Sequence, residues 1–535
     1  MHDPNAVLIV GAGPTGLTLA CALAQRGVAF RIIDKKPEPT QTSNALAIQP
    51  HTLQLLDEMG LVDRFLQAGI KAEKLQLYVD GRDFVNVTLA NVDPFYPFML
   101  LLPQSETENI LADHLHTLGA QIARATELVD IQQTADALSV QIRHADARLE
   151  TWTPRWIIAA DGAHSTVREK LHIPFEGDEF PQQFLLADVK LSHQSPQNQI
   201  NVFFNQDTLL GIVPIGVDRF RVIGTQNKDH TQALTDKEIQ RIIDERTHHR
   251  FQWIQSFWCS HFWIHSKLVR QLRQGSIFLA GDAAHIHSPA GGQGMNTGMQ
   301  DAYNLAWKLA LVIQGKAPSS LLDSYHTERY PINQHIVKQT ERFTQLMLTR
   351  HARFIPLRNK ILQWLLRCSW CVKKIATQIS QLSTHYPRSP IIHYFSTVSS
   401  RSPQPGEHYS DVVIHTQSRL LEFLRGTQHH VLLFTGWTPT PHELQTIQAM
   451  SKKIVDTFGD LVSVRAVVYK KLPDKSWNES ILDEEGTIHQ RYHIRFPAIY
   501  AIRPDYYIAF CSHRLDYSGL ERCLQSYLSP FLTRK

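Results

Sequence analysis

At 535 residues the chain is too long for one ordinary core, and two or three domains are expected. Its hydrophobic share of 43% and charged share of 19% are those of a folded globular protein and exclude a disordered chain. A net charge of +4 spread over the whole length falls short of the basic footprint of a nucleic-acid binder. No run reaches the roughly 18 uninterrupted apolar residues of a membrane span, and the first apolar run lacks a basic flank and a cleavage site, so a cytoplasmic location is expected.

In chain order, the apolar run Val7 to Val10 reads as a strand. Gly11, Gly13 and Gly16 follow it and lead into a helix-like run, Leu17 to Gln25. In this setting backbone amides can point at a pyrophosphate, although a glycine-rich turn also serves packing alone. The next run, Ala29 to Ile33, ends in Asp34, whose carboxylate is placed to accept hydrogen bonds from an adenosine ribose. The pair predicts a cradle for an ADP moiety.

A loop from Ser43 leads into a helix ending at Gly60. Asp161-Gly162 and Gly281-Asp282 each follow a short apolar run, Trp156 to Ala160 and Ser276 to Ala280, and read as buried strands whose ends present polar groups to a ligand. Between them, from Phe180 to Arg270, the runs INVFFNQ, LLGIVPIG and FRVIGTQ alternate like an antiparallel sheet. Trp253, Phe257, Trp258, Phe262 and Trp263 crowd its far end, as core or as a lining for a ligand.

After Asp282, the glycines Gly291, Gly292 and Gly294 suit close backbone approach to a flat ring. The amides of Gly291 to Met295, ahead of a helix carrying Asn296 and Asp301, are placed to stabilise negative charge. The helix itself is predicted over Asp301 to Gln314. Arg342 to Ser383 is helical and basic, with Arg350, Arg353, Arg358, Lys360, Arg367, Lys373 and Lys374 set among Phe354, Ile361, Trp364, Leu365 and Ile375. That pattern fits a solvated helical bridge or weak contact with an anionic membrane surface.

The six cysteines are sparse and suit reduced thiols. Cys368 and Cys371 form the one C-x-x-C pair, read as two small apolar residues on a helix face, and no metal site is expected. Pro387, Pro390, Pro403 and Pro405 mark a linker, after which strand and helix runs alternate to the end of the chain.

The three glycine- and aspartate-bearing motifs, in this order, resemble the FAD-dependent aromatic hydroxylases, single-component flavoprotein monooxygenases related to p-hydroxybenzoate and phenol hydroxylase. IRPDYYIAF, from Ile502, resembles the C-terminal domain of the phenol-hydroxylase branch. The resemblance implies an α/β fold: a Rossmann-like FAD-binding domain (1–179 and 271–341) with an inserted antiparallel β-sheet substrate domain (180–270). A helical bridge and linker (342–400) and a thioredoxin-like C-terminal domain (401–535) complete it. No C-x-x-C lies in that last domain, which leaves structural support or homodimer contact as its role.

By the same resemblance Gln104 contacts the flavin, although a polar helix start reads equally well. Asp161 belongs to the second motif, Arg168 serves both flavin and NAD(P)H, Asp282 binds the ribityl chain, and Pro289 borders the face that reacts with oxygen. FAD is implied to bind noncovalently, with NAD(P)H and molecular oxygen as co-substrates and a flavin C4a-hydroperoxide as the oxygenating species. The implied partner is a small aromatic or polyketide-like substrate, with no nucleic acid. His285, His287 and Tyr78 are candidate bases for an ionisable phenol. Asn44 and His51 stand where several relatives carry arginine. A flavin-binding scaffold without turnover stays open as an alternative, as does a flavin-dependent halogenase, although its W-x-W-x-I-P signature is missing.

Overall fold

The computed structural model describes residues 7–40, 45–89, 92–133, 138–193, 196–205, 208–226, 234–289, 291–347, 360–361, 364, 368–394, 398–415, 418–470 and 480–529. Ser43, Asn44, Arg350, Arg353, Phe354, Arg358, Leu365 and Arg367 lie outside the described residues. The chain divides into two compact units. One holds residues 1–21, 30–302 and 332–382; the other holds 22–29, 303–331 and 383–535.

In the first unit the strand Val7–Val10 pairs in parallel with Phe30–Ile33 on one side and Trp156–Ala159 on the other, and the latter pairs with Ile277–Leu279. All four residues of Val7–Val10 and of Trp156–Ala159 are buried, which is why these runs are continuously apolar rather than alternating. The ends of the three motif strands therefore lie side by side, where the strand order reverses around Val7–Val10. In open α/β sheets ligands bind at such a point.

An eight-stranded sheet in the same unit is built on Phe175–His193 and Phe251–Val269, an antiparallel pair of long strands, followed by Arg219–Gln226, Thr208–Gly216 and Gln199–Asn205. Lys74–Val79 and Arg82–Thr88 extend its edge. A three-stranded sheet of Ala47–Ile48, Met99–Leu101 and Ile70–Ala72 stands beside the cofactor loops.

The second unit centres on a five-stranded sheet in the order Ser480–Leu482, Val462–Val468, His429–Phe434, Ala498–Ile502, Ile508–Ser512. The helix Pro441–Phe458 starts with a capping box between Thr440 and Glu443 and with proline in its first turn. Sequence reasoning assigns 303–331 to the cofactor domain, yet the contacts group it with the C-terminal sheet. The cause is apolar burial: Trp307, Ala317 and Leu321 share one core with Val431, Ile499, Phe510 and Leu524.

An ion cluster sits inside that unit. Lys308 Nζ lies 2.6 Å from Glu328 Oε2, and the Arg503 guanidinium lies 2.5 Å from Glu328 and from Asp505. Burial raises the cost of the Glu328 charge, but the attraction of Arg503 and Lys308 outweighs it and holds the carboxyl below its usual range. Burial pushes the Lys308 ammonium down to about 8, against the pull of Glu328.

His429 and His430 are also buried, and desolvation, with Arg503 near the first and Arg465 near the second, pushes their pKa values down to about 3 and about 4. The folded state leaves both neutral where an unfolded chain, titrating near 6.5, takes up protons. Their contribution to stability is therefore full above pH 6.5 and is lost as the pH falls from there toward 4, at up to about 1.4 kcal/mol per pH unit for each. Unfolding monitored between pH 7.5 and 5 should show this loss, and a His430→Leu variant should show a shallower one. Equal slopes for variant and parent would remove His430 from the account.

Candidate functional site

The glycines of the first motif divide into two kinds. A Cβ on Gly11, which has φ +102°, would stand 2.3 Å from the Ala160 carbonyl oxygen, and one on Gly16 would stand 2.0 Å from the Gly11 oxygen. Both are needed for close packing of strand, helix and second motif. A Cβ on Gly13 meets nothing within 4 Å. Gly13 faces open space at the start of the helix Pro14–Gln25, where amide groups converge.

Asp34 accepts from the Ala12 amide through Oδ2 and from the Lys36 amide through Oδ1, each at 2.8 Å. Its carboxylate thus braces the glycine loop from the end of the neighbouring strand. Arg124, which nothing local in the sequence marks, lies 3.7 Å from it.

The second and third motifs are tied together by Arg168. Its guanidinium donates to the Ala163 and Ala283 carbonyls at 2.7 and 3.1 Å and stacks 4.0 Å over the Phe175 ring. The side chain is buried, and desolvation lowers its pKa. It braces the two motifs, with two of its five N–H donors given to backbone. Asp161 accepts from the Val167 amide at the start of the short helix Thr166–Lys170, and burial raises its pKa despite that bond and those of the neighbouring residues.

Asp282 is exposed, and desolvation by the protein packed around it raises its pKa, with His285 opposing. An exposed carboxylate at the end of the third motif's strand can accept from a ligand's hydroxyls. Gly281, with φ +59°, and Gly298 both press on Thr15: a Cβ at either would approach Thr15 Oγ1 to 2.5 or 2.4 Å. This contact explains why the helix spans Gly294–Ile313 and not the expected Asp301–Gln314. Gly298 is a packing glycine inside the helix, so the glycine-rich text conceals a helix start.

Gly291 and Gly292 have φ of +84° and +61° and turn the chain after Pro289, whose carbonyl accepts from the Gly292 amide at 3.0 Å. The loop is held from two sides. Asn296 donates to the Ala47 and Gly292 carbonyls at 2.8 and 2.9 Å and accepts from the Gln49 amide at 2.8 Å; the Gln49 side chain donates to the Gly291 carbonyl at 2.9 Å. Gly294 and Met295 form the first turn of the helix, whose positive end faces the loop. Gln49 escaped sequence reasoning because it lies more than two hundred residues away.

Among the candidate bases, His285 needs correction. It is 1% exposed and its Nε2 lies 2.7 Å from Asp301 Oδ2, so it cannot reach a substrate. Asp301 also accepts from the Gly281 amide and from Asn333. Tyr78 likewise belongs to the sheet core, stacked 4.4 Å from Phe203 with its hydroxyl donating to Asn201. His287 donates from Nδ1 to the Ser288 carbonyl, and burial pushes its pKa down to about 4. Gln104 begins the helix Gln104–Thr117 and exchanges hydrogen bonds with Ala45 while donating to Glu108. Trp253 packs against the sheet core, whereas Phe257 and Trp263 are exposed; the Phe262 side chain lies outside the described residues. Among the described residues no group of three or more His, Cys, Asp or Glu could hold a metal ion.

A model of the FAD-binding domain family matches residues 5–340. The chain belongs to that family. The flavoprotein is 31% identical to 6-methylpretetramide 4-monooxygenase of Streptomyces rimosus over 98% of this chain and 94% of that one. It is 32% identical to pentachlorophenol 4-monooxygenase of Sphingobium chlorophenolicum over 80% and 79% of the two chains. Among solved structures it resembles OxyS anhydrotetracycline hydroxylase from Streptomyces rimosus, with 27% identity, a TM-score of 0.73 and 98% of each chain covered. The chain is an FAD-dependent monooxygenase. Its residues fit the cofactor: the space before Gly13 suits a pyrophosphate, and the exposed Asp282 suits a ribityl chain.

Next to the glycine loop the surface changes character. Ala47, whose carbonyl Asn296 holds, is partly exposed together with Ile70, Met99, Ile200, Ile215 and Ile223, around a core of Leu46, Ala72, Leu101 and Val213. These side chains come from the three-stranded sheet and from one face of the eight-stranded sheet.

Asp301→Ala should cost about 3 to 5 kcal/mol, since it strips His285, the Gly281 amide and Asn333 of their shared acceptor inside the protein. Chemical denaturation of the FAD-free protein measures this. A loss under about 1 kcal/mol would mean that the cluster does not hold the third motif.

Proposed function

We propose that the flavoprotein hydroxylates a flat, largely apolar aromatic or polyketide-like small molecule, taking electrons from NAD(P)H and one oxygen atom from molecular oxygen. The observation that carries this is the partly exposed apolar patch of Ala47, Ile70, Met99, Ile200, Ile215 and Ile223 beside the Gly291–Gly294 loop. Such a surface binds an apolar ring system and keeps water away from it.

FAD, when bound, supplies the electron transfer and oxygen activation. The chain's residues hold and orient. The amides after Gly11 and Gly13 take the pyrophosphate, Asp34 the adenosine ribose, and Asp161 and Asp282 the groups nearer the ring. Gln49 and Asn296 fix the glycine loop, so that Gly291, Gly292, Gly294 and Met295 present backbone amides at the positive end of a helix to developing negative charge. Pro289 borders that loop. His287, neutral above about pH 4, is the base candidate left after His285 and Tyr78 are withdrawn.

The C-terminal sheet's strand order, with a parallel pair joined by the helix Pro441–Phe458 and an antiparallel pair beyond, supports a thioredoxin-like reading of that unit, whose role is structural support or homodimer contact. Exposed Trp364 and Trp370 beside Lys360, Lys373 and Lys374 support weak contact with an anionic membrane surface.

The test is NAD(P)H oxidation by FAD-loaded protein against a panel of phenols and polycyclic phenols. At least one polycyclic phenol should raise the rate about tenfold or more over substrate-free protein and yield a hydroxylated product. No NAD(P)H oxidation above the protein-free rate with any member of the panel would favour the scaffold alternative.

A further inference from the structure

The second unit contains a cavity of about 600 Å³ that the flavin chemistry does not use. Its volume falls in the range of small-molecule sites, roughly 300 to 1,000 Å³. Its place in the sheet is that of a ligand site. The strand His429–Phe434 is followed by a helical crossover to its parallel neighbour Val462–Val468, while its other neighbour, Ala498–Ile502, runs antiparallel. Phe434 pairs with Ala498, so the loop leaving the first strand meets the loop entering the second at one end of the sheet. Trp437 comes from the first loop, Arg495 and Phe496 from the second, and all three line the cavity. Crevices at the carboxyl ends of strands, where connections depart to opposite sides, are where open α/β sheets take ligands.

The lining has a definite chemistry. Arg401, Arg495, His493 and His513 give it cationic or potentially cationic groups, and none of the lining residues is acidic. Trp437 is fixed from behind, its Nε1 donating to the Ile494 carbonyl at 2.7 Å and its ring packed on Gly486. Phe496 is 74% exposed and offers an apolar ring face at the cavity edge.

His489 supplies the independent sign. It is fully buried, its Nδ1 lies 2.7 Å from Asp483 Oδ2, and its Nε2 has no hydrogen-bond partner. Asp483 accepts in addition from the Ile488 and His489 amides and is thereby fixed in place. With Nδ1–H given to a carboxylate, Nε2 keeps a lone pair that accepts from an O–H or N–H of a ligand, and buried polar atoms without partners are rare unless something fills the role.

We propose that this cavity binds a small aromatic anion, its ring between Trp437 and Phe496, its carboxylate against Arg401 and Arg495, and an O–H or N–H of the ligand donated to His489 Nε2. The site is separate from the flavin groove and acts on binding alone, with no bond made or broken there.

Hydrogen–deuterium exchange on the FAD-loaded, full-length protein tests it, with 2-naphthoate as probe and 2-naphthylmethanol as its uncharged counterpart. Exchange identifies the place, so that binding of the same aromatic ring beside Gly291–Gly294 is read separately. The naphthoate should protect peptides covering residues 435–440 and 487–496, with the alcohol protecting them far less. Arg495→Gln should weaken that protection at least about tenfold in probe concentration, as loss of a hydrogen bond to a charged group implies. Substrate-free NAD(P)H oxidation should not change. Arg401→Gln, at an exposed position, repeats the test should the first variant express poorly. Protection confined to the flavin-loop peptides, equal protection by acid and alcohol, or unaltered protection in both variants would overturn the proposal.

Discussion

Gly13→Val is expected to abolish FAD binding while leaving the fold almost intact. The Cβ it adds would meet no atom within 4 Å beyond its chain neighbours, so the apoprotein has room for it. The pyrophosphate is what it displaces. Losing even two charge-assisted hydrogen bonds to amides would cost about 3 kcal/mol, a fall in affinity of at least about a hundredfold. Gly16→Ala makes the contrast, since its methyl would stand 2.0 Å from the Gly11 oxygen and must push the strand and helix apart. That variant should lose stability by about 1 to 3 kcal/mol and lose flavin only as a consequence. Flavin content and melting temperature of both proteins separate the cases. Normal flavin content in Gly13→Val would mean that the open space is not the pyrophosphate site.

A loss of stability as large as that of Asp301→Ala is expected from Arg503→Ala. The guanidinium is fully buried and bridges Glu328 and Asp505, while Lys308 supports Glu328 from the other side. Removing one member of such a cluster leaves a buried carboxylate short of its counter-charge, at a cost of about 3 to 5 kcal/mol. Most of a domain's net stability is of that order. The variant should therefore be largely insoluble or melt far below the parent, and Arg503→Lys should recover part of the loss. A soluble Arg503→Ala protein with parental melting temperature would contradict the assignment of this cluster as a structural centre.

The same cluster shows where sequence reasoning ends. IRPDYYIAF is recognisable as text, but the partner of its arginine, Glu328, and the lysine that pairs with Glu328, Lys308, lie well over a hundred residues earlier, in a stretch that reads as the tail of the cofactor domain. Their burial with Trp307 and Leu321 in the C-terminal core carries no local signature. From sequence alone, a chain cut near Pro403 is expected to keep FAD if it stays soluble, while melting earlier or changing its oligomeric state. In the structure it would expose that core and leave Glu328 without Arg503.

At the flavin groove the motifs were legible because glycine and aspartate are demanded by backbone geometry over a few residues: Gly11 by its approach to Ala160, Gly281 by its approach to Thr15. Residues that hold the motifs to one another were not. Thr15, Gln49 and Asn333 are common residue types that matter only through contacts made across the sheet, and the bracing bonds of Arg168 to Ala163 and Ala283 carry no mark in the sequence. His285 failed as a base for a similar reason, since histidine beside a cofactor motif looks the same in sequence whether it faces a substrate or Asp301.

The central claim is that this flavoprotein transfers an oxygen atom to an apolar aromatic molecule seated by the glycine loop. Turnover under 18O2, with FAD-loaded protein, NAD(P)H and the polycyclic phenol that most stimulates oxidation, tests it directly by mass spectrometry of the product. The account predicts one 18O atom in each product molecule and none from labelled water. A product carrying oxygen from water, or consumption of NAD(P)H with all the 18O recovered as hydrogen peroxide, would contradict it.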